Sequence, residues 1–297
     1  MSSTSLAKSK RAALFGQLQI GSFVTAPGVF DMISARIADR MGFNALYMTG
    51  YGTVASHLGL PDAGLASYRD MLDRARMIAE GTNTPLIADA DTGYGGPLNV
   101  WHTVRGYEAA GISAIQIEGQ EFPKRCGHTT GRRVVPIDDM VRKLQVASDA
   151  RSYGDFLIIA RTDARTSLGL DEALRRAEAY QRAGADVLFI ESPESEAEME
   201  AIGRRFDTPL MANMVEGGRT PVLSAARLKQ LGYRIAIFPA LGFLAAGAAL
   251  RAAYGKLRRD GSSAGFDREL YGFDEFNELM GFERVWEFDR TYGPDDA

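Results

Sequence analysis

Eight short apolar segments recur along the chain, and their spacing restricts the folds that it can adopt. They cover residues 22–26, 45–49, 86–90, 114–118, 157–161, 187–191, 210–213 and 235–239. Seven of them follow a glycine or a proline-containing turn that could end a preceding helix. Stretches with helical periodicity, such as residues 170–182, lie between the segments. We therefore predict eight buried parallel strands that alternate with helices.

This alternation favours a (β/α)8 TIM barrel over an open doubly wound sheet. An open sheet usually carries a phosphate loop of the G-x-G-x-x-G type after its first strand. Residues 25–31 instead read Thr-Ala-Pro-Gly-Val-Phe-Asp, which does not match that loop. No linker-like segment divides the 297 residues into halves. We predict a single barrel whose working groups lie where the strands lead into the following helices.

The segment after the predicted barrel has a different character. Residues 258–266 are polar and rich in Gly and Ser, as is typical of a loop, and residues 273–292 read as one helix with an aromatic stripe. So much apolar area requires a partner surface. We predict a catalytic domain over residues 1–258 and an oligomerisation extension over residues 259–297. The extra helix could pack on its own barrel or on a second subunit, and we favour a swap between subunits.

Charge and cysteine content argue against several kinds of partner and environment. A net charge of −4, spread along the chain, argues against nucleic acid and anionic membrane surfaces. No apolar run is long enough to span a membrane. The single cysteine excludes an intramolecular disulfide and suits a reducing cytoplasm. The first 30 residues lack acidic side chains and resemble a transit peptide, but we favour a helix over residues 10–17 that leads directly into the first strand.

Acidic residues gather at or just beyond the predicted strand ends. The carboxylates expected to converge at one end of the barrel belong to Asp62, Asp89, Asp91, Glu118 and Glu191. Any one of them alone could be a helix cap or a turn residue. Together, with few local cations expected, they would repel one another unless a hard divalent cation were bound. Oxygen donors suit Mg²⁺, with Mn²⁺ possible, and no His or Cys spacing resembles a zinc site.

Cys126 lies in an unusual setting for a lone cysteine. Its neighbours Lys124, Arg125 and His128 create an electropositive environment that favours a thiolate or a proton-donating thiol. Gly127 allows the backbone to pass close to a ligand. A lone cysteine is most often a small buried hydrophobe, but the polar, glycine-bearing segment argues against that interpretation.

Taken together, these segments identify a family. The chain resembles the isocitrate lyase/phosphoenolpyruvate mutase superfamily, and within it the short lyases that cleave 2-methylisocitrate or 2,3-dimethylmalate. The resemblance covers nearly the whole chain and rests mainly on residues 59–62 (GLPD), 89–95 (DADTGYG), 124–128 (KRCGH), 160–164 (ARTDA) and 213–218 (NMVEGG). It implies Mg²⁺-dependent cleavage of a carbon–carbon bond in a small 2-hydroxy acid, which releases a 2-oxo acid. It also implies a homotetramer built from helix-swapped dimers.

The resemblance further implies a role for each matching side chain. Asp89 would bind the metal directly, while Asp62, Asp91 and Glu118 would bind it through water. The implied substrate-binding residues are Thr49, Gly50, Tyr51, Gly127, His128, Arg161, Glu191 and Asn213. The implied catalytic residues are Cys126, Tyr47, Arg161 and Glu118. Cys126 would protonate carbon, and Tyr47 is a candidate base whose pKa a metal-coordinated environment could lower.

Two departures from the family pattern bear on activity. Residue 119 is Gly where the family usually has Asp, which removes a carboxylate beside the metal shell. Val215 stands where the 2-methylisocitrate lyases typically have Thr, which favours a substituted malate over a tricarboxylate. Three alternatives stay open: an oxaloacetate hydrolase or decarboxylase, a carboxyvinyl-carboxyphosphonate phosphorylmutase-like enzyme, and a non-catalytic ligand-binding barrel. The Cys126 segment argues against the mutase, and the complete carboxylate set argues against a non-catalytic barrel.

We predict that Cys126→Ser reduces cleavage far more than it reduces ligand binding. A hydroxyl is a much weaker acid than a thiol, so the loss should appear in kcat, by about 10²–10⁴-fold, with a smaller change in KM. Steady-state kinetics on the wild-type and variant enzymes measure both parameters. An unchanged kcat would make Cys126 a packing residue and restore the mutase and hydrolase alternatives.

Overall fold

The eight predicted strands are all present in the structure. A computed structural model describes residues 3–125, 127 and 131–293. Its strands are β1 (Val24–Val29), β2 (Leu46–Met48), β3 (Leu86–Asp89), β4 (Ala114–Glu118), β5 (Leu157–Thr162), β6 (Val187–Ile190), β7 (Met211–Asn213) and β8 (Ile235–Phe238). The observed ends lie within three residues of the predicted ones, and β1 differs most.

Helices alternate with these strands. The described residues form α1 (Ser3–Gln19), α2 (Met32–Arg40), α3 (Gly50–Leu58), α4 (Tyr68–Gly81), α5 (Pro97–Ala109), α6 (Ile137–Ala150), α7 (Ala164–Leu168), α8 (Leu170–Arg182), α9 (Glu196–Arg205), α10 (Ala225–Gln230), α11 (Leu241–Asp260), α12 (Phe273–Met280) and α13 (Phe282–Tyr292). Several helices end at a glycine in the left-handed region just before the next strand, such as Gly42 and Gly111, with φ of 75° and 85°. No helix of the described chain is long and apolar enough to cross a membrane.

The strands form one parallel sheet that closes on itself. Their order is β6-β5-β4-β3-β2-β1-β8-β7, so neighbours in sequence are neighbours in space. The two ends of this order meet at a parallel bridge between Leu188 and Leu210, where the Leu188 N–H donates to the Pro209 carbonyl at 2.9 Å. An open doubly wound sheet would reverse its strand order near the middle. The predicted (β/α)8 barrel is therefore confirmed.

The hydrophobic core has two layers, and α1 contributes to the inner one. Inward-facing strand residues such as Ile87 and Phe189 form a cluster inside the barrel, together with Leu14 and Leu18 of α1. A larger cluster lies between the strands and the surrounding helices. Lys10 of α1 is 3% exposed and donates to the Ala79 carbonyl at 2.6 Å and to the Thr82 carbonyl. The helix predicted over residues 10–17 is thus confirmed, within a longer helix.

The chain divides into two compact units, residues 1–243 and 244–297, and the boundary falls within α11. Two elements of the C-terminal part differ from the prediction. The single helix predicted over residues 273–292 is wrong, because Gly281 adopts φ of 89° and separates α12 from α13. The predicted loop at 258–266 begins later, since α11 continues to Asp260. Arg258 and Arg259 lie in the last turn of α11, where positive charge stabilises the end of a helix.

Candidate functional site

The carboxyl ends of β3, β4 and β5 bring acidic and basic side chains together. Asp89 and Glu118 are the last residues of β3 and β4, and Arg161 is the next-to-last residue of β5. The strand register places Glu118 beside Arg161, and Asp89 beside Gln116. All four side chains are buried. Several of the predicted site residues therefore lie at the end of the barrel where such enzymes carry their catalytic groups.

Lys124 joins two of the predicted metal-binding carboxylates. Its Nζ lies 2.5 Å from Oδ1 of Asp62 and 2.5 Å from Oδ1 of Asp91. Burial by itself would lower the pKa of Lys124, but Asp91, Glu118 and the other nearby carboxylates hold that pKa well above its ordinary value. The expectation of few cations near the carboxylates is therefore wrong. Lys124, interpreted from the sequence only as a neighbour of Cys126, lies among them.

The neighbouring carboxyl groups are costly to ionise in this arrangement. Burial raises the pKa of Asp89 and raises that of Glu118 well above its ordinary value. Burial, with Asp89 and Asp62 nearby, raises the pKa of Asp91 to about 6 even though Lys124 opposes the shift. Such shifts mean that desolvation and like charge outweigh the available cations. A bound divalent cation would favour the ionised forms.

The surroundings of Asp89 suit a hard cation. Its Oδ1 accepts the N–H of Asp91 at 2.9 Å and the amide of Gln116 at 3.4 Å. A Cβ at Gly50 would collide with its Oδ2, so glycine at the start of α3 keeps the space beside this oxygen open. Among the described residues, no three His, Cys, Asp or Glu side chains form a ready metal cluster. The buried, oxygen-only donor set with raised pKa values nevertheless fits Mg²⁺.

Arg161 is held by three carboxylates. Its Nε and Nη2 donate to Asp163 at 3.1 and 2.7 Å. Its Nε also lies 3.3 Å from Oε2 of Glu118, and its Nη1 lies 3.7 Å from Oε2 of Glu191. Its guanidinium carbon is 5.3 Å from the centre of the Phe189 ring. Burial would raise the pKa of Asp163, but Arg161 and a second arginine outweigh it and hold the pKa below its ordinary value.

Glu191 and Asn213 meet on the other side of Arg161. The Asn213 amide donates to Oε2 of Glu191 at 3.0 Å. The Ser192 hydroxyl donates to Oε1 of Glu191 at 3.0 Å and lies 3.3 Å from the Gly127 carbonyl. Ser192 has φ of 62°, an uncommon conformation for a residue with a side chain. A Cβ at Gly127 would lie 2.5 Å from Nη2 of Arg161, so only glycine permits this approach.

Tyr47 is a buried hydrogen-bond donor. Its hydroxyl donates to Oε1 of Gln116 at 2.7 Å, and the Gln116 amide continues the chain to Asp89. Burial and then the charge of Asp89 raise the pKa of Tyr47 well above its ordinary value. Without a bound cation, Tyr47 is therefore a neutral phenol at physiological pH. The lowering expected from the sequence depends on a metal-coordinated environment and stays a prediction.

The remaining predicted residues fall into different positions. Thr49 caps α3, where its hydroxyl lies 3.5 Å from the Gly52 N–H, and it is buried. The ring of Tyr51 stacks on Phe243 at 5.2 Å and is 41% exposed. Cys126 and His128 lie outside the described residues, so their predicted roles stay predictions.

Gly119 lies against helices outside the sheet. A Cβ at this position would contact the Tyr180 hydroxyl at 3.2 Å and Cγ of Met140 at 3.3 Å. A larger side chain there would require these two residues to move. The Glu118 carboxylate is held instead by Gln120. Nε2 of Gln120 donates to Oε1 of Glu118 at 3.0 Å and to the Arg125 carbonyl at 2.9 Å.

Sequence reasoning assigned no role to several buried polar residues of this site. They are Gln116, Gln120, Arg132, Asp163 and Ser192. Gln116 left a usable signal, because it is a lone polar residue in the middle of an otherwise apolar run. A buried amide must find hydrogen-bond partners, and in a barrel these are on neighbouring strands. Asp163 lies in the segment at residues 160–164 that carries the resemblance, but its pairing with Arg132 left no local signal.

The barrel and its buried acidic site define a class of enzymes that act on small organic acids. The family model for phosphoenolpyruvate phosphomutase matches residues 15–258. The match covers most of the chain, and the protein belongs to this family. The family resemblance predicted from the sequence is therefore confirmed.

The curated relatives include lyases of two names. A 2,3-dimethylmalate lyase from Eubacterium barkeri is 49% identical over 93% of this chain and 95% of its own length. A 2-methylisocitrate lyase from Aeropyrum pernix is 40% identical over 87% of this chain and 83% of its own length. Both alignments span most of the chain, and these relatives confirm the carbon–carbon lyase class predicted from the sequence.

Solved structures of the same superfamily superpose closely. Oxaloacetate acetylhydrolase in complex with 3,3-difluorooxalacetate has a TM-score of 0.91 and 38% identity, and the match covers 99% of both chains. The trigonal crystal form of 2,3-dimethylmalate lyase has a TM-score of 0.89 and 41% identity, and the match covers 98% of this chain and 96% of that one.

We predict that Lys124→Met destabilises the metal-free protein by about 3 kcal/mol, because it leaves two buried carboxylates without their cation. Arg204→Met is the control, since Arg204 is 77% exposed and pairs with Glu200 within one helix, and its loss should cost at most about 0.5 kcal/mol. Urea unfolding in the presence of a chelator measures both. Equal effects of the two substitutions would contradict a stabilising role for Lys124.

Proposed function

We propose that this protein is a Mg²⁺-dependent carbon–carbon lyase that cleaves a substituted malate or a 2-methylisocitrate-like 2-hydroxy acid. The products would be a 2-oxo acid of the pyruvate type and a carboxylic acid. The observation that carries the proposal is the buried group of Asp62, Asp89, Asp91 and Glu118 beside Arg161. It combines oxygen donors for a hard cation with a guanidinium for a carboxylate. A substituted malate is the first choice, since the 49% identical relative is named for 2,3-dimethylmalate.

Asp89 would hold the metal ion directly, and Asp62, Asp91 and Glu118 would hold it through water, as the resemblance implies. Mn²⁺ could substitute, because the same oxygen donors accept it. When bound, the ion supplies Lewis-acid stabilisation of negative charge on substrate oxygen. The raised pKa values of Asp89, Asp91 and Glu118 support this assignment, because burial makes these carboxylates costly to ionise and a bound cation would offset that cost.

The chain's own residues would bind and orient the acid. Arg161 is rigidly held and keeps Nη1 near Glu191, so it is suited to bind a substrate carboxylate. Residues 49–51 would hold the carboxylate of the 2-oxo acid product, with Gly50 adjacent to Asp89. Glu191 and Asn213, joined by a hydrogen bond, would contact the other product together with Gly127 and His128.

Cleavage needs one proton removed from the substrate hydroxyl and one delivered to carbon. Loss of the hydroxyl proton lets the C–O bond become a carbonyl while the C–C bond breaks, and the bonding electrons pass to the departing carboxylic acid as an enediolate. Cys126 would donate the proton that converts this enediolate into the free acid. Tyr47 is the candidate base. Its raised pKa favours a neutral phenol, so proton acceptance by Tyr47 requires the bound cation.

An oxaloacetate acetylhydrolase-like activity is the second candidate. The observation that favours it is the structural match with a TM-score of 0.91 to the acetylhydrolase in complex with 3,3-difluorooxalacetate. The carboxyvinyl-carboxyphosphonate phosphorylmutase alternative has a relative of that name from Arabidopsis thaliana, which is 37% identical. The Lys124–His128 segment, which the mutases generally lack, disfavours it.

The proposed assembly is a cytoplasmic homotetramer in which C-terminal helices pack on another subunit. Neither α11 nor α13 has a buried residue. Phe273, Phe288 and Tyr292 are 81%, 61% and 72% exposed. Apolar area costs about 25 cal/mol per Å² to leave in water, so these helices require a partner surface.

We expect Mg²⁺-dependent release of pyruvate from 2,3-dimethylmalate to exceed release from 2-methylisocitrate, and both to exceed release of oxalate from oxaloacetate and turnover of phosphonopyruvate. Asp89→Ala should abolish the activity with the fold intact, because it removes the direct metal ligand. Product assays across the four acids and circular dichroism measure these outcomes. Full turnover in excess chelator, or by the Asp89 variant, would contradict the metal proposal. If oxalate release from oxaloacetate were the fastest of the four reactions, the protein would instead be an oxaloacetate hydrolase.

We expect a chain that ends at Gly265 to dissociate or aggregate, because its partners lose the surface that covers their apolar helices. A chain lacking only residues 294–297 is the control and should remain tetrameric. Light scattering coupled to size exclusion measures the mass of each. A stable tetramer of the shorter chain would rule out the swap.

A further inference from the structure

Asp163 is shared by two buried guanidiniums, and one of them has no role so far. Arg161 binds both of its oxygens, as described above. Nη1 of Arg132 donates to Oδ1 of the same carboxylate at 2.8 Å, and Nη2 of Arg132 donates to the Thr166 hydroxyl at 2.6 Å. The side chains of Arg132 and Asp163 are 1% and 0% exposed. Water therefore does not compete for these contacts, and their geometry is fixed by the protein.

A short antiparallel ribbon brings Arg132 to the end of β5. Gln120 forms an antiparallel bridge with Val134, and the Val135 N–H donates to the Gly119 carbonyl at 2.9 Å. The ribbon begins directly after β4, the strand that ends at Glu118. Arg132 is thus attached to β4 through the backbone and to β5 through Asp163.

The contact with Asp163 decides how Arg161 is oriented. The shortest distances from Arg161 to Glu118 and Glu191 are 3.3 and 3.7 Å. Of these three carboxylates, Asp163 is the one that accepts two hydrogen bonds from Arg161, and such a two-point contact of parallel hydrogen bonds fixes the plane of a guanidinium. This contact uses the edge formed by Nε and Nη2, which leaves Nη1 directed toward Glu191. If Asp163 rotated, Glu118 would be the nearest carboxylate for Arg161 to bind instead.

Arg132 also holds Asp163 in place. Its contacts with Asp163 and with Thr166 fix the carboxylate against rotation. Removal of Arg132 would free this carboxylate to rotate and would release Arg161 from the two-point contact.

We propose that Arg132 is a positioning residue for substrate binding: acting through Asp163, it fixes the plane of the Arg161 guanidinium for a substrate carboxylate. The role of Arg132 depends on the proposed function, in which Arg161 binds such a carboxylate. Arg132 itself contacts Asp163 and Thr166 and acts only through Asp163.

Three variants separate this role from general stabilisation. Arg132→Met removes the charge and both hydrogen bonds, whereas Arg132→Lys keeps the charge but cannot form the planar two-partner contact. Arg133→Met is the matched control, because Arg133 is the adjacent arginine and pairs with Glu121 at 75% exposure. Oxalate serves as the anion probe. Calorimetry on the full-length protein measures the Kd of oxalate in saturating Mg²⁺ and the Kd of Mg²⁺ alone. The values of kcat, KM and Tm are measured for the same variants.

We expect Arg132→Met to raise the oxalate Kd and the substrate KM about tenfold, with kcat within about threefold and Mg²⁺ affinity unchanged. Arg132→Lys should recover part of the affinity, and Arg133→Met should match the wild type. An unchanged oxalate Kd in Arg132→Met overturns the proposal. Parallel losses of oxalate affinity, Mg²⁺ affinity and Tm also overturn it, because they would indicate structural support only.

Crystal structures separate failure of this proposal from failure of the proposed function. If the wild-type protein neither binds oxalate nor cleaves any of the 2-hydroxy acids, the proposed function fails. Wild-type and Arg132→Met structures then decide the positioning role alone. Displacement of Arg161 from its two-point contact in the variant supports the role, and an unmoved Arg161 contradicts it.

Discussion

The structure of the site depends on the burial of many carboxylates at one end of a narrow parallel barrel. Six acidic side chains lie there, and three cations accompany them: Lys124, Arg132 and Arg161. In a medium of low effective dielectric, every such group must have a partner or take up a proton. The cations accordingly bridge carboxylates, Lys124 between Asp62 and Asp91, and Asp163 is divided between two arginines. Burial outweighs the attraction of these cations and raises the pKa values of Asp89 and Glu118.

This arrangement divides the site into two halves with different chemistry. Around Asp89, oxygen donors dominate, and glycine at position 50 keeps the space beside one carboxylate oxygen open. Around Arg161, hydrogen bonds fix a guanidinium beside Glu191 and Asn213. A cation held in the first half and a carboxylate held in the second would place a small acid between them. Because these protein groups need not move to receive the ligand, the binding energy can be used to orient the ligand.

Much of this could be predicted from the sequence, and the failures have physical causes. Apolar runs reveal buried strands, and parallel strands bring their last residues together, so Asp89, Glu118 and Arg161 were identifiable. The bridging position of Lys124 was not, because it depends on how a long side chain crosses between two loops. Arg132 and Asp163 are paired across 31 residues of sequence, a distance at which local patterns carry no information. The helix break at Gly281 was missed because a single glycine costs a helix only about 1 kcal/mol, and apolar residues continue on both sides of it.

The N-terminal helix bears on how a ligand can enter and leave the barrel. Leu14 and Leu18 of α1 pack with the residues that fill the barrel interior, and Lys10 bonds α1 to carbonyl groups at the end of α4. Helix α1 therefore covers that end of the barrel, and the described side chains that fill the interior are buried. A reactant and both fragments made from it must use one mouth, at the carboxyl ends of the strands. If the two fragments lie one behind the other on that path, we expect the one nearer the mouth to leave first.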